Sequence, residues 1–295
     1  MVKIKYLVAI RPFAFPASVF PVTIGALVSM KYGNFSPPLY ILSLIAAILI
    51  HSGVNTSNDI FDYLSGVDRE GTLGSSGLLV NKKISLKELA FISFICFAVG
   101  ILIGIFLTFK SGPWLLLIGA LGVILGYFYT GKPFQLKYRG LGLFIVFVLM
   151  GPLMVFGAEY VQRKTVSFEG FLLGTTIGIA TTLILLSNEI RDSQDDKQVG
   201  IKSLAIVKGD EYASKIYLIL SISQYVPVII LVINGFLSIL ALLSVISIFI
   251  YLGIYRELID KAVKRKDSHE IKDVDKKSAF AETIMGVFII LGMVV

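Results

Sequence analysis

Nine apolar stretches divide this chain, and they constrain its fold more than any other feature. They run at about 12–30, 39–58, 86–109, 114–130, 141–160, 169–190, 213–233, 236–255 and 279–295. About 20 residues of helix cross the roughly 30 Å of hydrocarbon in a bilayer. A backbone in lipid must satisfy its own hydrogen bonds, which leaves helices for stretches of this length. The breaks carry turn formers: Gly33 to Pro38, Ser111-Gly112-Pro113, Gly131-Lys132-Pro133 and Asn234-Gly235. A hydrophobic fraction of 56% and a mean hydropathy of +0.83 agree with this reading. The expected fold is all-α: a polytopic membrane helical bundle of nine transmembrane helices, with 1–295 forming one integral-membrane domain.

Charge tests the count. With nine spans, the N-terminus and the loops after even-numbered spans share one side. Of the 27 Lys and Arg residues, only Lys31, Lys110, Arg163 and Lys164 fall on the other. The positive-inside rule then makes the N-terminus and the even loops cytoplasmic, in a multi-pass protein of the cell membrane. The net charge of +7 is accordingly a topology signal and implies no nucleic-acid partner. Lys3 and Lys5 precede an apolar run as in a signal peptide. Arg11, Pro12 and Pro16 interrupt that run, so it is read as the first span. The one cysteine, Cys96, excludes disulfides and cysteine metal sites. Residues 256–277 read as a charged, solvated extension that touches anionic lipid.

One hexapeptide occurs twice. Ser57-Asn58-Asp59-Ile60-Phe61-Asp62 returns 130 positions later as Ser187-Asn188-Glu189-Ile190-Arg191-Asp192. Both copies end an apolar span, the second and the sixth, so both emerge on the same face. This spacing suggests two similar four-helix halves plus a ninth helix. Asn58, Asp59 and Asp62 share one side of a helix end, as do Asn188, Asp192 and Asp196, with Asp68 following from the loop. Asp195 lies about 100° round from Asp196 and is expected to point elsewhere. Acids gathered this way repel unless a cation sits among them. Carboxylate and amide oxygens suit Mg²⁺, which is usually held by a few carboxylates, water and substrate phosphate. Metal ligands are therefore expected at Asp59, Asp62, Asn58, Asp192 and Asp196.

Other residues admit two readings. Lys132, fixed between Gly131 and Pro133 at the rim of a span, is the best phosphate contact; Lys137, Arg139, Lys82 and Lys83 also serve as topology markers. Arg11 is either a membrane anchor or a partner for acid or phosphate. Asn55 lies one turn before Asp59 and extends the site inward. His51 is either a packing or a site residue. Tyr127 and Tyr129 either line an apolar pocket or belong to an interfacial belt. A cation transporter would also repeat acids on paired helices, but nearer the bilayer midplane.

These residues resemble a known family. Asn58-Asp59-x-x-Asp62 with Asp68, and Asp192-x-x-x-Asp196 with Gly200, are similar to the two Asp-rich motifs of the UbiA superfamily of intramembrane aromatic prenyltransferases. Arg11-Pro12, Gly66-Val67-Asp68, Gly126-Tyr127-x-Tyr129-Thr130-Gly131-x-Pro133, Tyr138-Arg139-Gly140 and Gly151-Pro152 place it closest to the MenA-like branch, which prenylates 1,4-dihydroxy-2-naphthoate. The resemblance implies nine helices and Mg²⁺-dependent transfer (Mn²⁺ able to substitute) from a polyprenyl diphosphate to an aromatic acceptor. A lipid glycerol phosphate or porphyrin acceptor remains the alternative. It also implies diphosphate contacts from Asn58, Lys132, Lys202 and Arg191, catalytic roles for Asp62 and Asp192, and Asp68 as either the proton acceptor or the group that orients the aromatic acceptor. An arginine common in the loop before span three is absent, the stretch reading Gly74-Ser75-Ser76-Gly77, so Lys82 or Lys83 would supply that contact. No obligate protein partner is implied.

Overall fold

The computed structural model describes residues 2–72, 75–265, 270–271 and 273–295. Twelve helical segments follow one another among them: α1 (Val2–Ala9), α2 (Pro16–Lys31), α3 (Pro37–Leu64), α4 (Leu86–Ser111), α5 (Trp114–Tyr127), α6 (Gly142–Arg163), α7 (Phe168–Arg191), α8 (Ser193–Gln198), α9 (Leu204–Lys208), α10 (Asp210–Ile233), α11 (Ile239–Lys264) and α12 (Val274–Val294). No strand occurs among the described residues.

Eight apolar helices among the described residues are long enough to cross a membrane, α2 counted with the turn before it as Pro12–Lys31. The expected fourth span, 114–130, is α5, an apolar helix of 14 residues. At about 1.5 Å per residue it covers roughly 21 Å, short of the hydrocarbon thickness, so the count of nine full spans is not confirmed. Phe128 caps α5, and the chain then turns through Lys132-Pro133 into a short 3₁₀ turn at Leu136–Arg139.

The helix ends follow local chemistry. Pro37 and Pro38 open α3, where a missing N–H costs nothing. Its 28 residues span roughly 42 Å, more than the bilayer core needs. The last turns, Asp59 to Leu64, therefore stay helical beyond the end of the apolar stretch at 58 and carry the first acidic motif out of the apolar layer. Ser85 and Glu88 close a capping box at the start of α4. The Ser167 side chain accepts a hydrogen bond from the Gly170 amide to start α7.

α7 is the hub. Its residues contribute to both main cores, Leu173 and Ile177 with Phe20, Ile24, Met285 and Ile289, and Leu183, Leu186 and Ile190 with Tyr217, Tyr251 and Ile254. α6 reaches α7 through glycine. A Cβ on Gly178 would lie 2.7 Å from the Phe147 carbonyl oxygen, so only glycine permits the approach. There α6 loosens into a π-turn over Leu149–Leu153, which contains Pro152. The expected solvated extension 256–277 is corrected: α11 runs on to Lys264, and Leu258, Ala262, Ile271 and Val274 are buried in the second core. Leu258 and Ala262, four residues apart, and Ile271 and Val274, three apart, anchor its two described ends. Residues 266–269 and 272 lie outside the described set.

Candidate active site

The ends of α3 and α7, with α8, surround a cavity of about 720 Å³. The N-terminal segment, the loop after α3, α6 and α12 complete its walls. The acids and bases of the helix ends line it together with the apolar Ile145, Val146, Leu149, Met150, Ile184 and Leu185 and the polar His51, Asn55, Thr181 and Glu282.

At the end of α3, Asn58 and Asp62 face the cavity one helical turn apart. The Lys137 ammonium donates to Asp62 over 2.9 Å, and the Tyr138 hydroxyl donates to the other carboxylate oxygen. Thr130 donates to the Asn58 amide oxygen over 2.7 Å. Asp59 does not line the cavity and ion-pairs with Arg11, which does. At i and i+3 it lies about 60° round the helix from Asp62. Asp59 keeps one buried oxygen without a partner.

The second motif is built in two pieces. α7 ends at Arg191, Asp192 caps α8, and Asp196 lies within α8. Asn188, Asp192 and Asp196 nonetheless all line the cavity. Arg191 grips Asp192 through two hydrogen bonds of 2.7 Å and reaches Asp275 of α12 at 3.4 Å. Asp195, expected to point elsewhere, also lines the cavity. Arg69 from the loop after α3 holds it at 3.3 Å and bonds Gln198 at 3.0 Å, which ties Arg69 to α8.

The acids sense one another across the gap. Burial, and after it Asp62 and Asp59, push the Asp68 carboxyl up to about 7. Burial pushes Asp196 up to about 6; Lys137 opposes the rise, and Asp192, Asp62 and Asp195 add to it. The coupling of Asp196 to Asp62 brings the two motifs into one electrostatic site. Burial works to lower the Lys137 ammonium, yet Asp62, Tyr129 and Asp196 raise it well above its ordinary value.

The chain's sequence and fold can now be set against known proteins. Residues 18–272 match the UbiA prenyltransferase family. The chain belongs to that family. A 1,4-dihydroxy-2-naphthoate octaprenyltransferase of Bacillus subtilis is 30% identical over 225 residues, 76% of this chain and 72% of that protein. A 2-carboxy-1,4-naphthoquinone phytyltransferase of Synechocystis is 30% identical over 223 residues, 75% of this chain and 71% of that protein. A solved UbiA homologue from Archaeoglobus fulgidus, bound to GPP and Mg²⁺, has the same fold, with a TM-score of 0.69 and 17% identity over 99% of this chain and 100% of that one. This multi-pass membrane protein is a prenyltransferase. The transporter alternative falls with that assignment, and the acids sit at helix ends.

Of the residues singled out in the sequence, His51, Asn55, Asn58, Asp62, Asp68, Tyr129, Arg191, Asp192 and Asp196 come together on the cavity wall. His51 is paired with Ser18 at 2.7 Å. Seven others do not line the cavity, Asp59 and Arg139 among them. Lys82 and Lys83 are exposed and line a separate recess with Tyr63, Leu79 and Glu88. Lys132 and Lys202 are exposed, and Tyr127 packs edge-on against Phe61, Phe97 and Phe128 outside the cavity. Lys137, five residues past Lys132, stands where Lys132 was expected, because the turn after α5 folds Leu136–Arg139 back over α3. Ser75 and Ser76 line the cavity, while Gly74 lies outside the described residues.

A divalent cation fits this donor set in one particular way. No group of three carboxylates or histidines among the described residues is close enough to cage an ion alone. Asp62 is tied to Lys137 and Asp192 to Arg191. The Asn188 amide oxygen, however, is buried without a partner, and burial raises the Asp196 and Asp68 carboxyls to about 6 and about 7, so a cation beside them would favour their ionised forms. Such a set completes a cation's shell only with oxygens from a ligand.

Proposed function

We propose that this protein moves a polyprenyl group from a polyprenyl diphosphate to a naphthoate-like aromatic acceptor, releasing diphosphate. The observation that carries the reading is one cavity with two acidic helix ends at its polar mouth and apolar side chains also on its wall. A diphosphate and an isoprenoid tail together have that polarity, and two relatives 30% identical are named for prenylating naphthoate-type rings. The Archaeoglobus homologue of the same fold was solved with GPP and Mg²⁺. The whole chain acts as one domain, in the cell membrane, with the polar mouth and the N-terminus on the cytoplasmic side as the Lys and Arg distribution indicates.

Asp62, Asp192 and Asp196, with Asn58 and Asn188, would hold Mg²⁺, and Mn²⁺ meets the same oxygen donors. The cation, when bound, offsets the negative charge that grows on the departing diphosphate. The chain does the rest. Lys137 and Arg191 exchange carboxylate for phosphate oxygens as the donor enters, which frees Asp62 and Asp192 for their ligand role. Asp59 keeps Arg11 at the mouth. The apolar wall excludes water while the allylic C–O bond breaks and its electron pair leaves with the diphosphate. Tyr129, buried beside the cavity, supports the positive allylic carbon. The acceptor ring carbon then bonds to that carbon, and Asp68 takes the displaced ring proton. Incubating the purified protein with geranylgeranyl diphosphate, Mg²⁺ and a panel of aromatic acceptors, read by mass spectrometry, tests the reading. Prenylated dihydroxynaphthoate is the expected product; transfer only to glycerol phosphate or porphyrin would overturn the acceptor assignment.

A further inference from the structure

Glu282 has no part in the chemistry just described, yet its carboxyl is fully buried in α12 and lines the same cavity. It lies seven residues along α12 from Asp275 at the mouth, roughly 10 Å deeper. One carboxyl oxygen accepts from the Thr181 hydroxyl of α7 at 2.7 Å. The other is buried with no partner, and no Lys or Arg among the described residues pairs with Glu282. A carboxyl in a membrane span without a cation is costly to keep, and one present only for packing would be satisfied at both oxygens.

One more polar atom on this wall, outside the metal-holding set, is buried without a partner: the Asn55 amide nitrogen. Between it and Glu282 the lining is apolar, with Ile184 and Leu185 of α7 and Met150 of α6. A ligand that satisfies this wall has a flat apolar body and hydroxyl groups at its edge. An isoprenoid tail offers no polar group to Glu282, and a diphosphate finds no Lys or Arg among the described residues paired with Glu282 there. An aromatic diol meets both demands.

We propose that Glu282 accepts a hydrogen bond from a ring hydroxyl of the aromatic acceptor, and so sets which ring carbon faces the allylic carbon. The proposal rests on the prenyl-transfer reading above. It makes Glu282 a specificity-determining residue on the last helix, remote from both acidic motifs in sequence.

The test compares wild type, Glu282→Leu and Glu282→Gln in lipid nanodiscs with Mg²⁺ and geranyl diphosphate. Acceptors are 1,4-dihydroxy-2-naphthoate and its two analogues lacking one ring hydroxyl. Glu282→Leu should raise the KM for the dihydroxy acceptor about five- to a hundredfold, the cost of leaving a ring hydroxyl buried without its partner. The KM for geranyl diphosphate should stay within twofold. Glu282→Gln, which keeps an acceptor oxygen, should lie between. With one of the two analogues the variants and wild type should converge, because the hydroxyl that Glu282 reads is gone. An acceptor KM within twofold of wild type in both variants would overturn the proposal, as would an equal rise for donor and acceptor or a deficit that persists with both analogues. Where Glu282→Leu does not fold, the Glu282→Gln comparison alone decides on the same criteria. Wild type that transfers to no aromatic acceptor would overturn the underlying reading, and this proposal with it.

Discussion

Asp62 accepts hydrogen bonds from Lys137 and Tyr138 at once, and Asp192 is clamped by Arg191, so the acids at the mouth are tied to the protein's own donors until a ligand arrives. Lys137 is thereby set apart from the other basic residues of the same face. Lys137→Met should weaken diphosphate binding in Mg²⁺ about ten- to a hundredfold by calorimetry, since a charge-assisted contact to phosphate is lost. Lys82→Ala with Lys83→Ala should change it less than twofold. Asp68 and Asp196 make a second prediction, on pH. Both carboxyls are raised in the folded protein, to about 7 and about 6, above an ordinary value of 3.8. The folded state thus holds protons that the unfolded chain has already lost. For the metal-free protein the stability from these groups is complete below about pH 4 and falls as pH rises, the Asp196 part ending near 6 and the Asp68 part near 7. The slope is at most about 1.4 kcal/mol per pH unit for each group. Thermal unfolding between pH 4 and 8 checks the sign, and Asp68→Asn should flatten the portion between 6 and 7.

At the scale of elements, α7 carries the second motif and both cores, and its contact with α6 depends on small residues. Gly178→Leu forces a side chain against the Phe147 carbonyl and the Gly151 backbone. It should destabilise by about 3 kcal/mol or more, as overpacking of a tight contact does, and lower the unfolding temperature together with activity. The apolar period and the turn residues made most helices legible in the sequence, with ends within a few residues. Helix beyond the apolar stretch that ends at 58 was legible as far as Asp62 from the spacing of the first motif, and α3 runs on to Leu64. The extension of α11 was not legible, since charges at Arg256, Lys261 and Lys264 mask the buried Leu258 and Ala262. Orientation is open to direct test. With Cys96 removed, a cysteine placed in 197–203 should be labelled only from the cytoplasmic side, and one beside Lys164 only from the other. Labelling of both from one side would refute the even-loop assignment.

At the scale of the molecule, the site is an assembly of segments far apart in sequence: the N-terminal segment, the end of α3, the turn before α6, the end of α7 and the start of α12. The duplicated Asn and Asp pattern announced the two central pieces. Arg11, Lys137 and the α12 wall were less visible, because a single Arg or Lys at a membrane edge reads equally well as an anchor. Glu282 carried a signal of its own, an acid inside an apolar span, that marks a functional position even without a partner in view. The central claim is that the two acidic helix ends form one site. Its most direct test is the single-turnover rate and diphosphate affinity, in Mg²⁺, of Asp62→Asn, Asp192→Asn and the double variant. Each single change should cost about a thousandfold in rate with the fold intact, and the double variant should lose little more, since groups that act as a unit are not additive. Full activity in Asp192→Asn, or losses that multiply in the double variant, would contradict a single shared site.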